Sequence, residues 1–178
     1  MGQNLAAFTL RPVAGSDAPR IAELISDWEV VRWLSAPPYP YALADAATFL
    51  AGLAAARGGL FRHDAIVVDG TLAGLIGIDQ RNGGPNLGFW LGRPFWGLGI
   101  MGRAAAQLTR DFFAKSAETQ LNSGYFSGNN KSWSIQRRLG FEVASEGQLF
   151  NRPHGKHLPH VETTLTRARY EQMKRTSS

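Results

Sequence analysis

A glycine-rich segment about halfway along the 178-residue chain constrains the fold more than any other feature. A predicted strand over 86–92 leads through Trp96-Gly97-Leu98-Gly99-Ile100-Met101-Gly102 into a long helical pattern. The first N–H groups of a helix have no partners inside it, and they carry the positive end of its dipole. Glycine at 97, 99 and 102 lets an anion come up against bare backbone, so the segment predicts a site for a diphosphate.

Three interpretations of this turn compete. The first is a tight turn with close packing and no ligand, and the second is a dinucleotide site, because the three glycines match the G-x-G-x-x-G fingerprint. That fingerprint follows its strand directly and normally opens its domain. Here four residues lie between the predicted strand and the first glycine, and about half of the chain precedes the turn. The acid expected roughly 20 residues further on is also missing, since the next predicted strand ends Tyr125-Phe126-Ser127-Gly128. The third interpretation is a site for the diphosphate of coenzyme A.

Two signatures give the chain a family resemblance. Trp96-Gly97-Leu98-Gly99-Ile100-Met101 resembles the acetyl-CoA loop of the GNAT N-acetyltransferases, with tryptophan in place of the usual Arg or Gln, as in the RimJ/RimL-like branch. Asn129-Asn130-Lys131-Ser132 followed by Leu139-Gly140-Phe141 is similar to that branch's N-x-x-S and L-G-F signature. Pro37-Pro38-Tyr39-Pro40-Tyr41 resembles its substrate-side loop, so the resemblance covers nearly the whole chain.

The predicted elements follow an order that is typical of a mixed α/β (α+β) sandwich. In chain order they are a strand over 8–13, helices from 16 and over 43–57, strands over 61–68, 71–79 and 86–92, a helix over 98–115, a strand over 120–126, a helix over 130–139, and strands over 141–150 and 157–166. Asp69-Gly70 predicts a hairpin turn, while Gly58-Gly59 and Gly140 predict helix ends. The prolines between 33 and 41 predict a loop.

The resemblance implies a GNAT-like, mostly antiparallel central sheet of about six or seven strands flanked by about four helices, in one domain over residues 1–178. It also implies that the fourth and fifth strands splay apart, so that free backbone groups meet a thioester. Phe89, Trp90 and Leu91 would then supply backbone contacts to acetyl-CoA, the implied cosubstrate. The further residues assigned to it are Trp96, Gly97, Leu98, Gly99, Ile100, Met101, Gly102, Arg103, Asn129 and Lys131.

Two departures from the family pattern concern charge. Leu98 stands where a Lys or Arg is common, which removes one cation from the loop. Arg103 stands where this branch usually has Glu, and a cation near a helix start opposes the dipole by about 0.3–1 kcal/mol. A phosphate would offset that cost, so we expect Arg103 or Lys131 to face the phosphates of the cosubstrate. The alternative is a solvated surface arginine.

Ser132 is the predicted catalytic residue, because the matching position in RimL-like enzymes lies near the sulfur and would stabilise the leaving thiolate. Many other family members have a tyrosine for this role, and none follows at the matching place here. Asn129 would hydrogen-bond the arm of the cosubstrate. The alternative for both residues is a cap at the start of the short helix. A water chain or an already neutral amine would make a general base unnecessary; the candidates for one are Asp79, Glu29, Glu142 and His63.

The acceptor is an amine that the sequence does not identify. Trp33, Tyr39 and Tyr41 form a predicted lip over it, with ordinary hydrophobic cover as the alternative. A protein N-terminus, a polyamine, an amino acid and an amine-bearing antibiotic all stay open as acceptors. The absence of cysteine excludes a cysteinyl acyl-enzyme and favours direct attack in a ternary complex. The competing function is a non-catalytic module that binds or senses acyl-CoA.

Charge and composition limit the other partners. The net charge of +5 suggests an anionic ligand, but no long run of basic residues indicates nucleic acid. No apolar stretch approaches the roughly 20 residues of a membrane helix, and no basic leader opens the sequence, so we expect a cytoplasmic protein without membrane contact. A metal site is not expected, because cysteine is absent and prolines and a glycine exclude a helix that would align His154, His157 and His160. A homodimer is left open.

Overall fold

The computed structural model describes residues 6–55, 62–81 and 83–176, whose strands form a single sheet. The strands are β1 (Thr9–Pro12), β2 (Arg62–Val68), β3 (Thr71–Arg81), β4 (Gly84–Leu91), β5 (Gln120–Phe126), β6 (Glu142–Asn151) and β7 (Lys156–Thr166). The helices are α1 (Ala18–Ile25), α2 (Trp28–Val31), α3 (Leu43–Ala55), α4 (Ile100–Lys115), α5 (Asn130–Arg138) and α6 (Arg167–Thr176). Short 3-10 turns lie at Gly15–Asp17 and Arg93–Phe95.

The sheet divides into two parts at its fourth strand. The strand order is β1-β2-β3-β4-β5-β7-β6, and the neighbouring pairs are antiparallel apart from β4 and β5. Those two strands run parallel, and among the described residues they pair only at Asn86 and Asn122. β5 in contrast pairs with β7 along its whole length from Gln120 to Phe126. The predicted splay between the fourth and fifth strands is therefore confirmed.

Alternating residues of the central strands contribute to two hydrophobic cores on opposite faces of the sheet. Successive side chains of a strand point to opposite faces. Ile66 and Ile76 accordingly pack in the core that contains α4, whereas Ala65 and Leu75 pack in the core of α1 and α3. Ala104 is fully buried, and its small side chain lets α4 lie close to the sheet. The turn that precedes α4 is thereby fixed against the end of β4.

The turn residues behave as their sequence predicts. Asp69 and Gly70 have φ values of 47° and 75°, and positive φ at both positions is what a two-residue hairpin turn of type I′ requires. The helix after the glycine turn begins at Ile100 rather than at residue 98. Gly99 has a φ of 68°, a left-handed conformation that does not belong to a right-handed helix. Gly140 ends α5 with a φ of 95°, as predicted.

The structure adds two helices to those expected from the sequence, α2 and α6. α2 is a single turn, capped by Asp27, whose side chain accepts a hydrogen bond from the Glu29 N–H at 3.0 Å. α6 buries none of its residues and so lacks the apolar stripe by which a helix is predicted. Phe61 and the helix end predicted at Gly58-Gly59 lie outside the described residues.

Candidate active site

A cleft of about 1710 Å³ lies where β4 and β5 diverge. Its walls come from β4, the glycine turn before α4, β5, α5, the β6–β7 pair and the segment that follows α2. Ordinary sites for small ligands have volumes of roughly 300–1,000 Å³. The cleft is therefore large enough for an extended ligand with a second one beside it.

The glycine turn presents a row of backbone donors to this cleft. In the part of the chain that the structure describes, no N–H from Gly97 to Gly102 donates a hydrogen bond. Gly97 and Gly99 have φ values of 78° and 68°, which an L-residue with a side chain rarely adopts. A Cβ built at Gly97 or Gly102 would meet nothing within 4 Å. Open space in front of unpaired N–H groups at a helix start is suited to an anion.

Trp96 holds this turn to the strand before it. Its indole Nε1–H donates a hydrogen bond of 2.6 Å to the carbonyl oxygen of Leu91, the last residue of β4. The Nζ of Lys131 lies 3.9 Å from the centre of the Trp96 ring, so α5 brings a cation to the same turn. Leu98 points away from this arrangement: it is 43% exposed and does not line the cleft.

Arg103 lines the cleft but is also engaged with the start of the described chain. Its guanidinium donates to the carbonyl oxygen of Ala6, and its Nε donates to the Gly99 carbonyl at 3.3 Å. The guanidinium carbon lies 5.0 Å from the centre of the Phe8 ring. Arg103 is thus not a freely solvated arginine, and its contact with a phosphate stays a prediction.

Ser132 is held in a hydrogen-bonded chain that joins α5 to the sheet. The Asn129 side chain caps α5 and accepts a hydrogen bond from the Ser132 N–H at 3.2 Å, so the cap is Asn129 and not Ser132. The Ser132 Oγ accepts a hydrogen bond of 3.0 Å from the side-chain amide of Gln136. That amide nitrogen also donates a hydrogen bond of 3.0 Å to the Gly124 carbonyl, and the amide oxygen accepts a hydrogen bond of 2.6 Å from the Thr163 hydroxyl.

These hydrogen bonds leave the hydroxyl proton of Ser132 available. A serine hydroxyl has one O–H donor and can accept two hydrogen bonds, and Gln136 uses an acceptor position. Ser132 lines the cleft, so its O–H is free to be donated there. Gln136 is fully buried and was not singled out from the sequence. Gln136 comes four residues after Ser132, so a helix places both on one face, and this spacing is the sequence feature that could have identified Gln136.

The predicted acceptor-side aromatic residues separate in the structure. Trp33 lines the cleft, and its ring lies 3.5 Å from the Cβ position of Gly128 beyond the end of β5. Buried Asn151 donates to the carbonyl oxygens on both sides of Trp33, those of Arg32 and Leu34, at 3.0 and 3.2 Å. The end of β6 thus holds the Trp33 segment in place.

The two predicted tyrosines lie elsewhere. Tyr39 is 47% exposed and packs edge-on against Trp28 at 4.9 Å, and Tyr41 is buried in the core of α1 and α3. Neither tyrosine lines the cleft. The structure therefore brings Trp33 to the cleft but not Tyr39 or Tyr41, and an acceptor contact by either tyrosine stays a prediction.

Of the four candidate bases considered from the sequence, only Glu29 lines the cleft. The His63 ring lies 3.0 Å from Asp79 and lowers the pKa of that carboxyl, and this pair is outside the cleft. Glu142 instead lies 3.5 Å from Arg169.

The structure adds two residues of β7 to the cleft: Glu162, which the sequence did not single out, and His160, which was considered there together with His154 and His157 as a metal ligand. Burial lowers the pKa of the His160 imidazole, and the nearby Glu162 carboxylate opposes this shift. Their spacing of two along a strand was the only sequence signal that they share a face.

Two further findings concern metal and membrane. Within the described ranges, no group of three or more His, Asp or Glu residues could hold a metal ion. The three closely spaced histidines contact different aromatic rings, with His154 on Trp28, His157 on Phe150 and His160 on Phe126. None of the helices in the described part of the chain has the length and apolar character needed to cross a membrane.

Known proteins match this chain in both sequence and structure. A family model described as "Acetyltransferase (GNAT) domain" matches residues 7–142. The chain is 29% identical over 147 residues to "Putative ribosomal N-acetyltransferase YdaF" of Bacillus subtilis, which covers 75% of this chain and 77% of that protein.

Solved structures with a similar fold include RimJ of Mycobacterium smegmatis in complex with CoA-disulfide. Its TM-score is 0.79 at 20% identity, over 92% of this chain and 84% of RimJ. The microcin C7 self-immunity acetyltransferase MccE, in complex with acetyl-CoA and AMP, has a TM-score of 0.75 at 20% identity, over 89% of this chain and 92% of MccE. At these identities the likeness establishes the fold. With most of its length matched by the family model, the chain belongs to the GNAT acetyltransferase family.

Proposed function

We propose that this protein transfers an acetyl group from acetyl-CoA to a primary amine, by direct attack of the amine in a ternary complex. The observation that carries the proposal is the convergence of three features on one cleft: the unpaired N–H groups of the glycine turn, the gap between β4 and β5, and Ser132. The ligands of the similar structures support it, since MccE was solved with acetyl-CoA and RimJ with CoA-disulfide.

The glycine turn has the chemistry to hold the diphosphate of acetyl-CoA. Its backbone N–H groups are unpaired, and the space beside Gly97 and Gly102 is open to phosphate oxygens. The Lys131 ammonium over Trp96 adds a positive charge at the same turn. We assign the diphosphate to the N–H groups of residues 97–102 and to Lys131, with Arg103 on the adjoining wall.

The gap between the splayed strands β4 and β5 is suited to the thioester end of acetyl-CoA. Acetyl-CoA supplies a thioester that is activated toward amines. The strands are bridged next to the pair of Asn86 and Asn122, where the Ser123 hydroxyl donates a hydrogen bond of 2.9 Å to the Leu87 carbonyl. Beyond this bridge, the backbone of Phe89 to Leu91 lines the cleft without a β5 partner. Fixed backbone donors at such an edge polarise a carbonyl without reorganisation.

Ser132 has the geometry to assist the leaving sulfur. Its oxygen is engaged by Gln136, and its proton is free to be donated into the cleft. In the proposed reaction a C–N bond forms to the amine, the C–S bond breaks, and the Ser132 O–H stabilises the sulfur as it leaves. The chain contains no cysteine, so a cysteinyl acyl-enzyme is not involved.

The acceptor we favour is the N-terminal amine of a protein. YdaF, the relative that resembles this chain over most of its length, carries the name of a ribosomal N-acetyltransferase. The Trp33 segment and the β6–β7 pair line the same cleft as the gap, and its volume of about 1710 Å³ leaves room for a chain end or a small amine beside acetyl-CoA. A small-molecule amine is the alternative acceptor.

The first test measures binding and then chemistry. A ligand that binds only the folded state at about 100 times its dissociation constant adds roughly 2.7 kcal/mol of stability. We expect acetyl-CoA to raise the melting temperature clearly and NAD to leave it unchanged. Stabilisation by NAD instead, or by neither ligand, would overturn the assignment of the glycine turn.

Substitution of Ser132 by alanine tests its assigned role. We expect Ser132→Ala to lower kcat by roughly 100-fold, within the range for a positioned proton donor, and to keep the melting shift with acetyl-CoA. Ser127→Ala is the matched control, because Ser127 is exposed and does not line the cleft. Equal kcat values for the two variants, measured by thiol release, would remove Ser132 from the mechanism.

A further inference from the structure

We propose that His160, oriented by Glu162, is the group that takes the proton from the acceptor ammonium before attack. This inference rests on the proposed acetyl transfer and names its general base. An amine attacks a thioester only through its neutral form, so a base near the gap would supply that form at neutral pH.

The sheet register places His160 and Glu162 beside the reacting end of the cleft. On β7 they are two residues apart and so share one face of the sheet. They pair with Phe126 and Gly124 of β5, the strand that forms one side of the gap. Both side chains line the cleft.

The same register places the hydrogen bonds that join Ser132, Gln136 and Thr163 on the other face of the sheet. Thr163 follows Glu162 on β7, so its side chain points to the opposite face, where its hydroxyl donates a hydrogen bond to the side-chain oxygen of Gln136 on α5. The proposed proton acceptor and the proposed sulfur partner therefore lie on opposite faces of the β5–β7 pair. A thioester held in the gap from the α5 side would meet an amine that arrives from the His160 side.

Gly124 fixes the imidazole ring against the backbone of β5. A Cβ at Gly124 would lie 2.5 Å from Cε1 and 2.9 Å from Nε2 of His160, so the ring occupies the space that a side chain would need. The ring also packs edge-on against Phe126 at 5.1 Å, and the His160 side chain is only 12% exposed. Such a ring is held in one orientation, as a proton acceptor requires.

The two ring nitrogens have different surroundings. Nδ1 lies 3.2 Å from Oε1 of Glu162, whereas Nε2 has no hydrogen-bonding partner among the described residues. A carboxylate beside Nδ1 favours the tautomer with its proton there, which leaves a lone pair on Nε2. When Nε2 takes up a proton, the same carboxylate stabilises the imidazolium, as the acid of a Ser-His-Asp triad does.

Burial of the ring keeps it neutral before it acts. Burial lowers the pKa of His160, and the Arg81 guanidinium of β3 lowers it further. The Glu162 carboxylate raises this pKa and so opposes both effects. A histidine whose pKa lies below its ordinary value is unprotonated at neutral pH and able to accept a proton.

The proton balance of the reaction is complete with these groups. The first N–H bond of the ammonium breaks, its proton passes to Nε2 of His160, and the imidazolium later gives it to water. The neutral nitrogen then forms the C–N bond while the C–S bond breaks. Its second surplus proton ends on the leaving sulfur beside Ser132.

The other carboxylate of the cleft is less suited to this role. Glu29 is about half exposed, and its Oε1 lies 3.2 Å from the Arg32 guanidinium, which engages the carboxylate. His160 in contrast has a carboxylate beside its Nδ1, that of Glu162 at 3.2 Å.

A spectroscopic test needs no acceptor. Nitrogen and proton NMR of the imidazole rings, assigned with His→Gln variants, reports the tautomer and the pKa of each histidine. We expect neutral His160 to carry its proton on Nδ1, with a pKa below that of an exposed histidine, and Glu162→Gln to lower that pKa further. A proton on Nε2, or a pKa that rises in Glu162→Gln, would overturn the proposal.

A kinetic test separates this inference from the function on which it rests. With acetyl-CoA and short peptides that have a free N-terminus, we expect His160→Gln to lower kcat at least 100-fold, within the range for general-base catalysis. We expect the KM for acetyl-CoA and the melting shift to stay unchanged, and the loss of wild-type rate at low pH, as His160 becomes protonated, to disappear.

His157→Gln is the matched control, because His157 is exposed and does not line the cleft. Wild-type turnover together with full activity in His160→Gln would overturn the assignment of His160 alone. A wild-type protein that binds acetyl-CoA but releases no thiol with any amine would overturn both proposals.

Discussion

Gln136 fixes the orientation of Ser132 through a side-chain amide whose nitrogen and oxygen are both hydrogen-bonded. The amide nitrogen donates to the Gly124 carbonyl and to the Ser132 Oγ, and the amide oxygen accepts from Thr163. The side chain is fully buried, so none of these bonds competes with water. Gln136 is therefore a positioning residue, which acts on the proposed reaction through Ser132.

Replacing Gln136 with leucine should lower kcat with little change in the KM for acetyl-CoA, because the Ser132 hydroxyl loses its partner. The variant also leaves the Gly124 carbonyl and the Thr163 hydroxyl without a partner. This loss should lower the free energy of unfolding by about 1–3 kcal/mol. Steady-state kinetics and thermal unfolding measure the two effects.

Thr163→Val is the matched control for this variant. It removes the bond to the Gln136 oxygen but leaves the bond from Gln136 to Ser132, so it should cost stability with a smaller loss of kcat. In a Ser132→Ala background, Gln136→Leu should lower kcat no further, since the residue it positions is gone. An equal loss in both backgrounds would contradict the positioning role.

At the scale of elements, the glycine turn and α4 act as one unit. The turn is tied to β4 by the Trp96 indole, and α4 is packed on the sheet through Ala104. The unpaired N–H groups therefore point into the cleft from a rigid base. This preorganisation lowers the entropic cost of holding a diphosphate.

Gly102→Ala should separate stability from binding. Gly102 lies in the first turn of α4, and alanine is favoured over glycine in a helix by about 0.8–1.0 kcal/mol. A methyl group there fits without a clash but occupies the space assigned to the phosphate oxygens. We expect a higher melting temperature without ligand and a weaker affinity for acetyl-CoA by calorimetry.

Gly52→Ala in α3 provides the control for that variant. A Cβ at Gly52 also meets nothing within 4 Å, and Gly52 does not line the cleft. Its substitution should raise stability and leave the affinity for acetyl-CoA unchanged. If Gly102→Ala bound acetyl-CoA as tightly as Gly52→Ala does, the diphosphate would not lie at this turn.

At the scale of the whole molecule, features that depend on the local chain were predictable from the sequence. The glycine turn requires glycine at the positive φ of Gly97 and Gly99, and the hairpin at Asp69-Gly70 requires residues that tolerate positive φ, as Asp and Gly do. Asn129 and Ser132 lie on one helix start, so their spacing alone brings them together. The splay of the sheet followed from the family resemblance and not from residue spacing.

Features that depend on strand pairing were not predictable in this way. His160 reaches the cleft because β7 pairs with β5. The hydrophobic pattern of a strand does not indicate which other strand it pairs with. The bond between Gln136 and Thr163 depends on the same pairing. Tyr41 follows a proline-rich loop that suggested an exposed lip, but the chain returns it to the core beside α1.

The central claim, acetyl transfer from acetyl-CoA to an amine, is tested most directly by product analysis. The protein is incubated with acetyl-CoA and a panel of amines: peptides with free N-termini, the same peptides with blocked N-termini, a polyamine and free amino acids. Released thiol and newly formed amide are then quantified together. We predict equal amounts of thiol and amide with at least one free amine and neither product with the blocked peptides. Stabilisation by acetyl-CoA without thiol or amide from any amine would contradict the account and indicate a module that only senses acyl-CoA.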